Sequence, residues 1–219
     1  MEQNSKIFFV VIAVFSMAFF IQSEKVKGKI VCFGDSITYG AYSEGNGWPE
    51  QLEKYDNEIK IVNAGRKGRK TSDKDELLPI VEANKDANYF VLLLGVNDLK
   101  DGNDSLVALC VDNMKWMIAK VNEGIPDAKI VLISPCQISL ANMTDLNKSK
   151  KYNEKTFSSL IKLEEDYKKL AEVKSIGFIS LLDTVSPVNL FDGIHPNICG
   201  YAEIANKIWS ELNHSIKID

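Results

Sequence analysis

The chain has 219 residues, of which 45% are hydrophobic and 26% are charged, and its formal net charge is −4 at pH 7. This composition is typical of a globular protein with one sizeable core. The acidic balance argues against nucleic acid as a partner, because nucleic-acid-binding proteins usually carry a basic face. No internal repeat or low-complexity segment is evident, so a single folded domain is expected over residues 24–219.

Residues 1–23 predict an export signal in front of that domain. An apolar run from Ile7 to Ile21, interrupted only by Ser16, follows Lys6 and precedes polar residues. These features are typical of a secretory signal peptide, and the run is short for a membrane span of about 20 residues. The cleavage site is poor, which leaves an uncleaved membrane anchor as the alternative. Either way the domain is expected to be exported, periplasmic or secreted, with that anchor as its possible link to a membrane.

Export would permit disulfides, and the chain has four cysteines. Cys32 lies inside a predicted strand and Cys110 on the apolar face of a predicted helix, so both are expected to be small core residues. Cys136 and Cys199 both follow predicted strands, which leaves one bridge possible. Free thiols are the favoured prediction.

Short apolar runs alternate with helical patterns along the domain. The runs predict five strands, at Lys29–Phe33, Ile59–Val62, Tyr89–Leu94, Lys129–Ile133 and Gly177–Leu181. The helical patterns include Ser105–Glu123, a Lys- and Glu-rich helix ending near Val173, and Gly200–Leu212. This alternation predicts an α/β fold with a parallel sheet covered on both faces. Right-handed crossovers then favour a three-layer α/β/α sandwich with a five-stranded, flavodoxin-like sheet.

Two local expectations concern segments beside the strand ends. Thr71 or Ser72 is expected to cap a helix, with Asp75 in the capping-box position after Ser72. Trp48 begins another helix and is expected in the core, with the lining of a ligand pocket as the alternative.

Polar residues follow several strands with no evident structural task. They are Ser36, Asn63, Gly65, Asn97, Asp192 and His195. Because parallel strands place their carboxyl ends at one edge of the sheet, these residues are expected to converge there.

Ser36 is the candidate nucleophile of such a site. A serine hydroxyl needs an adjacent base, and His195 is nearly the only candidate because the other histidine, His214, lies in a polar tail. Asp192 precedes His195 by three residues and could orient its ring.

The same strand ends offer donors for an oxyanion. The backbone N–H groups of Ser36 and Gly65 and the side-chain amide of Asn97 could stabilise the negative charge that develops during acyl transfer. The dispersed cysteines and histidines show no metal-ligand spacing, so neither a metal nor another cofactor is predicted.

The segment Gly34-Asp35-Ser36-Ile37-Thr38 resembles the first conserved block of the GDSL, or SGNH, hydrolases. Asn63-x-Gly65, Gly95-x-Asn97-Asp98 and Asp192-x-x-His195-Pro196 resemble the later blocks, in the family's order. The resemblance implies a flavodoxin-like sandwich that hydrolyses esters or thioesters without a metal. It also implies that Ser36 is the nucleophile, His195 the base and Asp192 its orienting partner, with oxyanion donors at Ser36, Gly65 and Asn97.

Within that family the chain is most similar to arylesterases and carbohydrate esterases, in Gly65–Thr71, Leu77-Leu78-Pro79 and Ser134-Pro135. This branch favours small acyl groups, so the resemblance implies hydrolysis of acetyl esters, with a glycan or another small molecule as the expected substrate. Arg66, Lys67 and Lys70 make the second block unusually basic. Either this segment is a solvated loop, which is the favoured reading, or it attracts an anionic substrate such as an acidic sugar.

Three alternatives remain open from the sequence. A lysophospholipase or acyl-thioesterase would need an apolar trough beside Ser36, and the polar segment Ser139–Lys150 argues against one. An O-acyltransferase would use the same triad. A glycan-binding pseudoenzyme should have lost a triad or oxyanion residue, and none is missing.

Overall fold

The computed structural model describes residues 26–215, with side chains up to Asn213. The predicted export segment, residues 1–23, and the side chain of His214 lie outside the described residues. Among the helices that are described, none has the length and apolar character needed to cross a membrane.

Within residues 26–215, five strands alternate with helices. The strands are β1 (Gly28–Gly34), β2 (Ile59–Gly65), β3 (Tyr89–Leu93), β4 (Lys129–Ser134) and β5 (Gly177–Ser180). The α-helices are α1 (Ser36–Tyr39), α2 (Trp48–Glu53), α3 (Leu77–Glu82), α4 (Asp104–Gly124), α5 (Asp145–Ser149), α6 (Glu154–Lys174) and α7 (Ile198–Ser215). Two 3₁₀ helices span Thr71–Glu76 and Pro187–Asn189.

The strands form one parallel sheet in the order β2-β1-β3-β4-β5. Helix α2 packs on α7, while α4 packs on α3 and α6. All five residues of the central strand β3 are buried, as expected for a sheet covered on both faces. The predicted three-layer α/β/α sandwich with a five-stranded flavodoxin-like sheet is confirmed.

Glycines at the ends of β1 and β2 allow helix α1 to lie directly against the sheet. Gly34 and Gly65 are register partners. A Cβ atom on Gly65 would lie 2.2 Å from the backbone nitrogen of Tyr39, and one on Gly34 would lie 2.6 Å from the carbonyl oxygen of Leu93. No side chain fits at either position, so the two glycines fix the place of the residues that follow β1.

A buried arginine joins the ends of the same two strands. Arg69 is 5% exposed, and its Nη1 donates hydrogen bonds to the carbonyl oxygens of Gly34 and Ala64, both at 2.6 Å. Its guanidinium lies 4.1 Å from the centre of the Phe33 ring, and its Nε donates to Glu76. The Arg69 side chain thereby satisfies carbonyls at the edge of the sheet and ties the loop after β2 to β1.

The expectation for the helix cap after β2 was wrong. The segment after β2 begins with a 3₁₀ helix at Thr71 rather than with a helix capped by Thr71 or Ser72. The reciprocal hydrogen bond of the capping box is accepted by Asp73 rather than by Asp75, and its donor is the Lys70 N–H at 3.0 Å. The Thr71 hydroxyl instead donates a hydrogen bond to the carboxylate of Asp98, on the loop after β3.

The expectation that Trp48 lies in the core is confirmed, because its side chain is fully buried; the alternative, that it lines a ligand pocket, is wrong. The four cysteines are free thiols, with Cys32, Cys110 and Cys136 buried and Cys199 exposed.

We predict that replacing Arg69 by Met lowers the free energy of unfolding by about 2–4 kcal/mol, because the carbonyls of Gly34 and Ala64 lose a charged donor in a buried place. Urea unfolding of the variant beside the wild type measures this loss.

Arg66→Met is the matched control, since Arg66 is an exposed arginine that pairs with the same Glu76. Its expected loss is below about 1 kcal/mol. Equal losses for the two variants would contradict the role assigned to Arg69.

Candidate active site

Ser36 is the first residue of helix α1, directly after β1. Asp35 caps this helix, with its Oδ1 accepting a hydrogen bond from the Ile37 N–H at 2.9 Å. The Ser36 side chain is buried at this sheet edge, and its Oγ lies 3.0 Å from Nε2 of His195. The fold therefore brings the candidate nucleophile and the candidate base into hydrogen-bond contact.

Asp192 contacts the other side of the His195 ring. Its Oδ2 lies 2.7 Å from Nδ1 of His195, and its Oδ1 accepts hydrogen bonds from the backbone N–H groups of Ile194 and His195. Burial disfavours the charged carboxylate, but these hydrogen bonds outweigh burial and hold the pKa of Asp192 well below its usual range. An ionised Asp192 keeps the hydrogen on Nδ1, which leaves Nε2 free to accept the proton of the Ser36 hydroxyl.

The loop that carries Asp192 is held by the polar segment after β4. The side-chain amide of Asn147 donates to the Asp192 carbonyl at 3.0 Å, and the Ser139 N–H donates to the Gly193 carbonyl at 2.8 Å. Gly193 has φ +87°, and a Cβ there would lie 2.7 Å from the Cα of Met143. Sequence reasoning treated this segment only as a polar loop and missed Asn147, whose buried position gives no local sequence signal.

Asn97 lies on the loop after β3, and both ends of its amide are hydrogen-bonded. Its Nδ2 donates to the Arg69 carbonyl at 3.2 Å and lies 3.4 Å from Oδ2 of Asp35. Its Oδ1 accepts a hydrogen bond from the hydroxyl of Tyr152 at 2.9 Å. Tyr152 is buried and was not identified from the sequence, and it fixes which end of the amide faces the Asp35 side of the site.

Gly65 lies beside helix α1, and its N–H donates to Oδ1 of Asn63 at 2.9 Å. The Asn63 amide in turn donates to Oε1 of Glu50 at 2.7 Å. The backbone N–H of Ser36 belongs to the first turn of α1, where N–H groups have no acceptor within the helix. Of the three predicted oxyanion donors, Gly65 and Asn97 thus already hold hydrogen bonds within the protein.

Asp98, next to Asn97, faces the loop after β2. Its carboxylate accepts hydrogen bonds from the Thr71 N–H at 3.0 Å and from the Thr71 hydroxyl at 2.7 Å. These bonds join the third sequence block to the second. Within residues 26–213, no group of three or more histidine, cysteine or acidic side chains is placed to hold a metal ion.

Asp35 is the most deeply buried carboxylate of the site, at 1% exposure. Burial raises its pKa to about 6, although the Ile37 N–H and the positive charge of a protonated His195 partly offset the effect. Between about pH 4 and pH 6 the folded protein therefore binds a proton at Asp35 that the unfolded chain has released.

The proton bound at Asp35 makes the free energy of unfolding depend on pH in this interval. Raising the pH through that interval destabilises the folded state relative to the unfolded state, because the native carboxyl is the harder one to ionise. Asp35→Asn retains an acceptor for the Ile37 N–H and cannot ionise. We predict that the stability of the wild type relative to Asp35→Asn falls by up to about 3 kcal/mol between pH 4 and pH 7.

Chemical denaturation of both proteins at several pH values in that interval measures the difference. Asp127→Asn, at an exposed aspartate far along the chain, serves as the control. The quantity to compare is the free energy of unfolding of the wild type minus that of Asp35→Asn. If this quantity stays constant or rises with pH, the assignment is contradicted.

A serine hydroxyl against the imidazole of a histidine–aspartate pair is the arrangement that a serine hydrolase requires, and it lies at the edge where flavodoxin-like sheets bind their ligands. The family model described as "GDSL-like Lipase/Acylhydrolase family" matches residues 32–203. The chain belongs to this family, and the protein is a carboxylic ester hydrolase. The family and the class of enzyme predicted from the sequence are confirmed.

Solved structures with the same fold include carbohydrate esterases and lipases. The chain matches Est24, a carbohydrate acetylesterase from Sinorhizobium meliloti, with a TM-score of 0.74 at 18% identity, covering 86% of this chain and 100% of that one. It matches the aryl esterase of M. smegmatis with a TM-score of 0.70 at 19% identity, covering 86% and 99%.

A lipase/acylhydrolase from Enterococcus faecalis has a TM-score of 0.66 at 24% identity, with 85% of this chain and 96% of that one covered. At these identities the likeness shows the fold alone. No match was found among the curated proteins.

Proposed function

We propose that the protein removes small acyl groups, acetyl above all, from a carbohydrate ester through an acyl-enzyme on Ser36. The observation that carries this proposal is the continuous contact from Ser36 Oγ to His195 Nε2, at 3.0 Å, and from His195 Nδ1 to Asp192 Oδ2, at 2.7 Å. The acetyl and carbohydrate parts are supported by the resemblance of the sequence blocks and by the carbohydrate acetylesterase that shares the fold.

The reaction follows from this geometry in two steps. As Ser36 Oγ attacks the ester carbonyl, its proton passes to His195 Nε2, and Asp192 stabilises the imidazolium that forms. The tetrahedral intermediate collapses when His195 returns that proton to the leaving alcohol, which leaves an acyl group on Ser36. A water molecule, deprotonated by His195, then attacks the acyl group and releases the acid and the Ser36 hydroxyl.

The oxyanion of each tetrahedral intermediate is stabilised by the N–H groups of Ser36 and Gly65 and by the amide of Asn97. One such donor typically contributes about 2.7–4 kcal/mol of transition-state stabilisation. In this proposal the oxyanion shares the Gly65 N–H with Asn63 and the Asn97 amide with Arg69. Tyr152 then acts as a positioning residue, because its hydroxyl holds the Asn97 carbonyl oxygen away from the developing charge.

We also propose that residues 1–23 direct export, so that the enzyme acts on an extracytoplasmic substrate. The support is the apolar run from Ile7 to Ile21 after a positive residue, which is the usual pattern of a signal peptide or anchor.

We predict that the protein hydrolyses p-nitrophenyl acetate and that Ser36→Ala lowers kcat by about 10⁴-fold or more, because the nucleophile is lost while the fold remains. The acetate ester is expected to exceed p-nitrophenyl octanoate in kcat/KM by about tenfold, since a small acyl pocket excludes the longer chain. Release of p-nitrophenol measures both.

Ser72→Ala is the control, because Ser72 is an exposed serine on the 3₁₀ helix. Its rates are expected to equal those of the wild type. Equal rates for Ser36→Ala and the wild type would contradict the serine mechanism. A higher kcat/KM for the octanoate ester would contradict the small-acyl proposal and favour a lipase.

A further inference from the structure

Beside the catalytic pair lies a surface cluster with no task in the chemistry described so far. We call it the Tyr42 cluster, and its members are Tyr39, Tyr42, Lys67 and Phe191. The Tyr42 ring meets the Phe191 ring edge to face at 5.0 Å and the His195 ring edge to face at 5.4 Å. The Lys67 ammonium lies 5.0 Å from the centre of the Tyr39 ring and 5.7 Å from that of Tyr42.

The aromatic members of the Tyr42 cluster are exposed rather than packed in the core. Tyr42 is 65% exposed, Tyr39 50% and Phe191 48%. Tyr42 also has φ +65°, a left-handed conformation that is uncommon for residues other than glycine, and its side chain gains little burial in return. Exposed rings held together by a strained backbone beside a catalytic histidine are typical of a surface that binds a ligand.

The charge of Lys67 is not balanced by a carboxylate within the described residues. Its neighbour Arg66 forms ion pairs with Asp73 and Glu76, whereas Lys67 forms none among residues 26–213. Within the described residues the arginine charges of this segment are thus compensated by carboxylates, whereas Lys67 and Lys70 form no ion pair, and of these two lysines Lys67 is the one that lies on the rings of the Tyr42 cluster. On a chain with a net charge of −4, a cation placed on aromatic rings beside the site is suited to an anionic group of the substrate.

The mechanism fixes which part of the substrate meets this cluster. His195 delivers its proton to the oxygen of the leaving alcohol, so the alcohol must lie next to the His195 ring. Tyr42 contacts that ring directly. The acyl group lies instead toward the oxyanion donors, and Tyr42, with the Lys67 ammonium beside its ring, therefore faces the alcohol.

We propose that the Tyr42 cluster is the leaving-group subsite and that it selects a sugar carrying a carboxylate. This inference rests on the proposed function and specifies its substrate class. The sugar ring packs its C–H face on Tyr42 and Phe191, and the carboxylate pairs with the Lys67 ammonium. The substrate is accordingly an acylated acidic sugar rather than a neutral one.

The test compares two matched esters, a mono-O-acetylated methyl galacturonoside and the galactoside in which a primary alcohol replaces the carboxylate. Ethyl acetate, hydrolysed under the same conditions, reports on the chemistry without a sugar. For the wild type we expect kcat/KM to be about tenfold higher for the galacturonoside, because a charge-assisted hydrogen bond contributes to its binding. Added sodium chloride is expected to reduce this preference, since Lys67 is exposed to solvent.

Variants of the cluster test each of its parts. Lys67→Gln is expected to bring the two sugar esters to equal kcat/KM, mainly through a higher KM for the galacturonoside, and Lys67→Arg to retain the preference. Tyr42→Ala is expected to lower kcat/KM for both sugar esters about fivefold relative to ethyl acetate, because the stacking contact is lost. Lys60→Gln removes an equal charge from an exposed position on β2, near its amino end, and is expected to preserve the preference.

The failure of this inference can be told apart from the failure of the proposed function. A wild type that hydrolyses ethyl acetate but does not distinguish the two sugars would overturn the subsite, as would a preference that survives in Lys67→Gln. A wild type that hydrolyses none of the three esters would overturn the proposed function, and the subsite with it.

Discussion

The site depends on the close approach of helix α1 to the ends of β1 and β2. Without side chains at Gly34 and Gly65, the short helix lies against the strand ends, where a Cβ would meet other atoms at 2.1–2.7 Å. This approach sets the position of Ser36 relative to the other strand ends. The proposed base, His195, comes from the loop after β5, which β3 and β4 separate from β1, so a shift of α1 would break its contact with Ser36.

Around that contact, each buried charge has a compensating partner. Asp192 is held ionised by the His195 ring and two backbone N–H groups, and Arg69 is surrounded by strand-end carbonyls and Glu76. Asp98 is satisfied by Thr71. Asp35 is the most deeply buried of these groups; burial raises its pKa to about 6, and its carboxylate caps the helix that carries the proposed nucleophile. Burial also raises the pKa of Asp98 and lowers that of Arg69, so the energetic cost of the site is shared among these buried groups.

The sheet and its polar edge could be predicted from the sequence because their signals are local. Apolar runs end in Gly, Asp and Asn at the points where the strands end, and a parallel sheet must bring those ends together. Ser36, His195 and Asp192 were identified in this way, and the structure places them in contact.

The supporting residues could not be predicted, because their contacts join distant segments without a periodic pattern. Tyr152 reaches Asn97 from the segment between α5 and α6, Asn147 reaches Asp192, and Arg69 reaches Gly34. The pairing of Tyr42 with His195 depends on a left-handed residue that the sequence does not mark with glycine.

Covalent trapping tests the proposed role of Ser36 as a nucleophile that His195 activates. The protein is incubated with an alkyl fluorophosphonate, which phosphonylates activated serines, and the modified peptide is identified by mass spectrometry. This role of Ser36 predicts a single adduct, on the peptide that carries Ser36, that is absent in Ser36→Ala and forms far more slowly in His195→Gln. An adduct on another serine, or an active esterase that forms no adduct at Ser36, would contradict it.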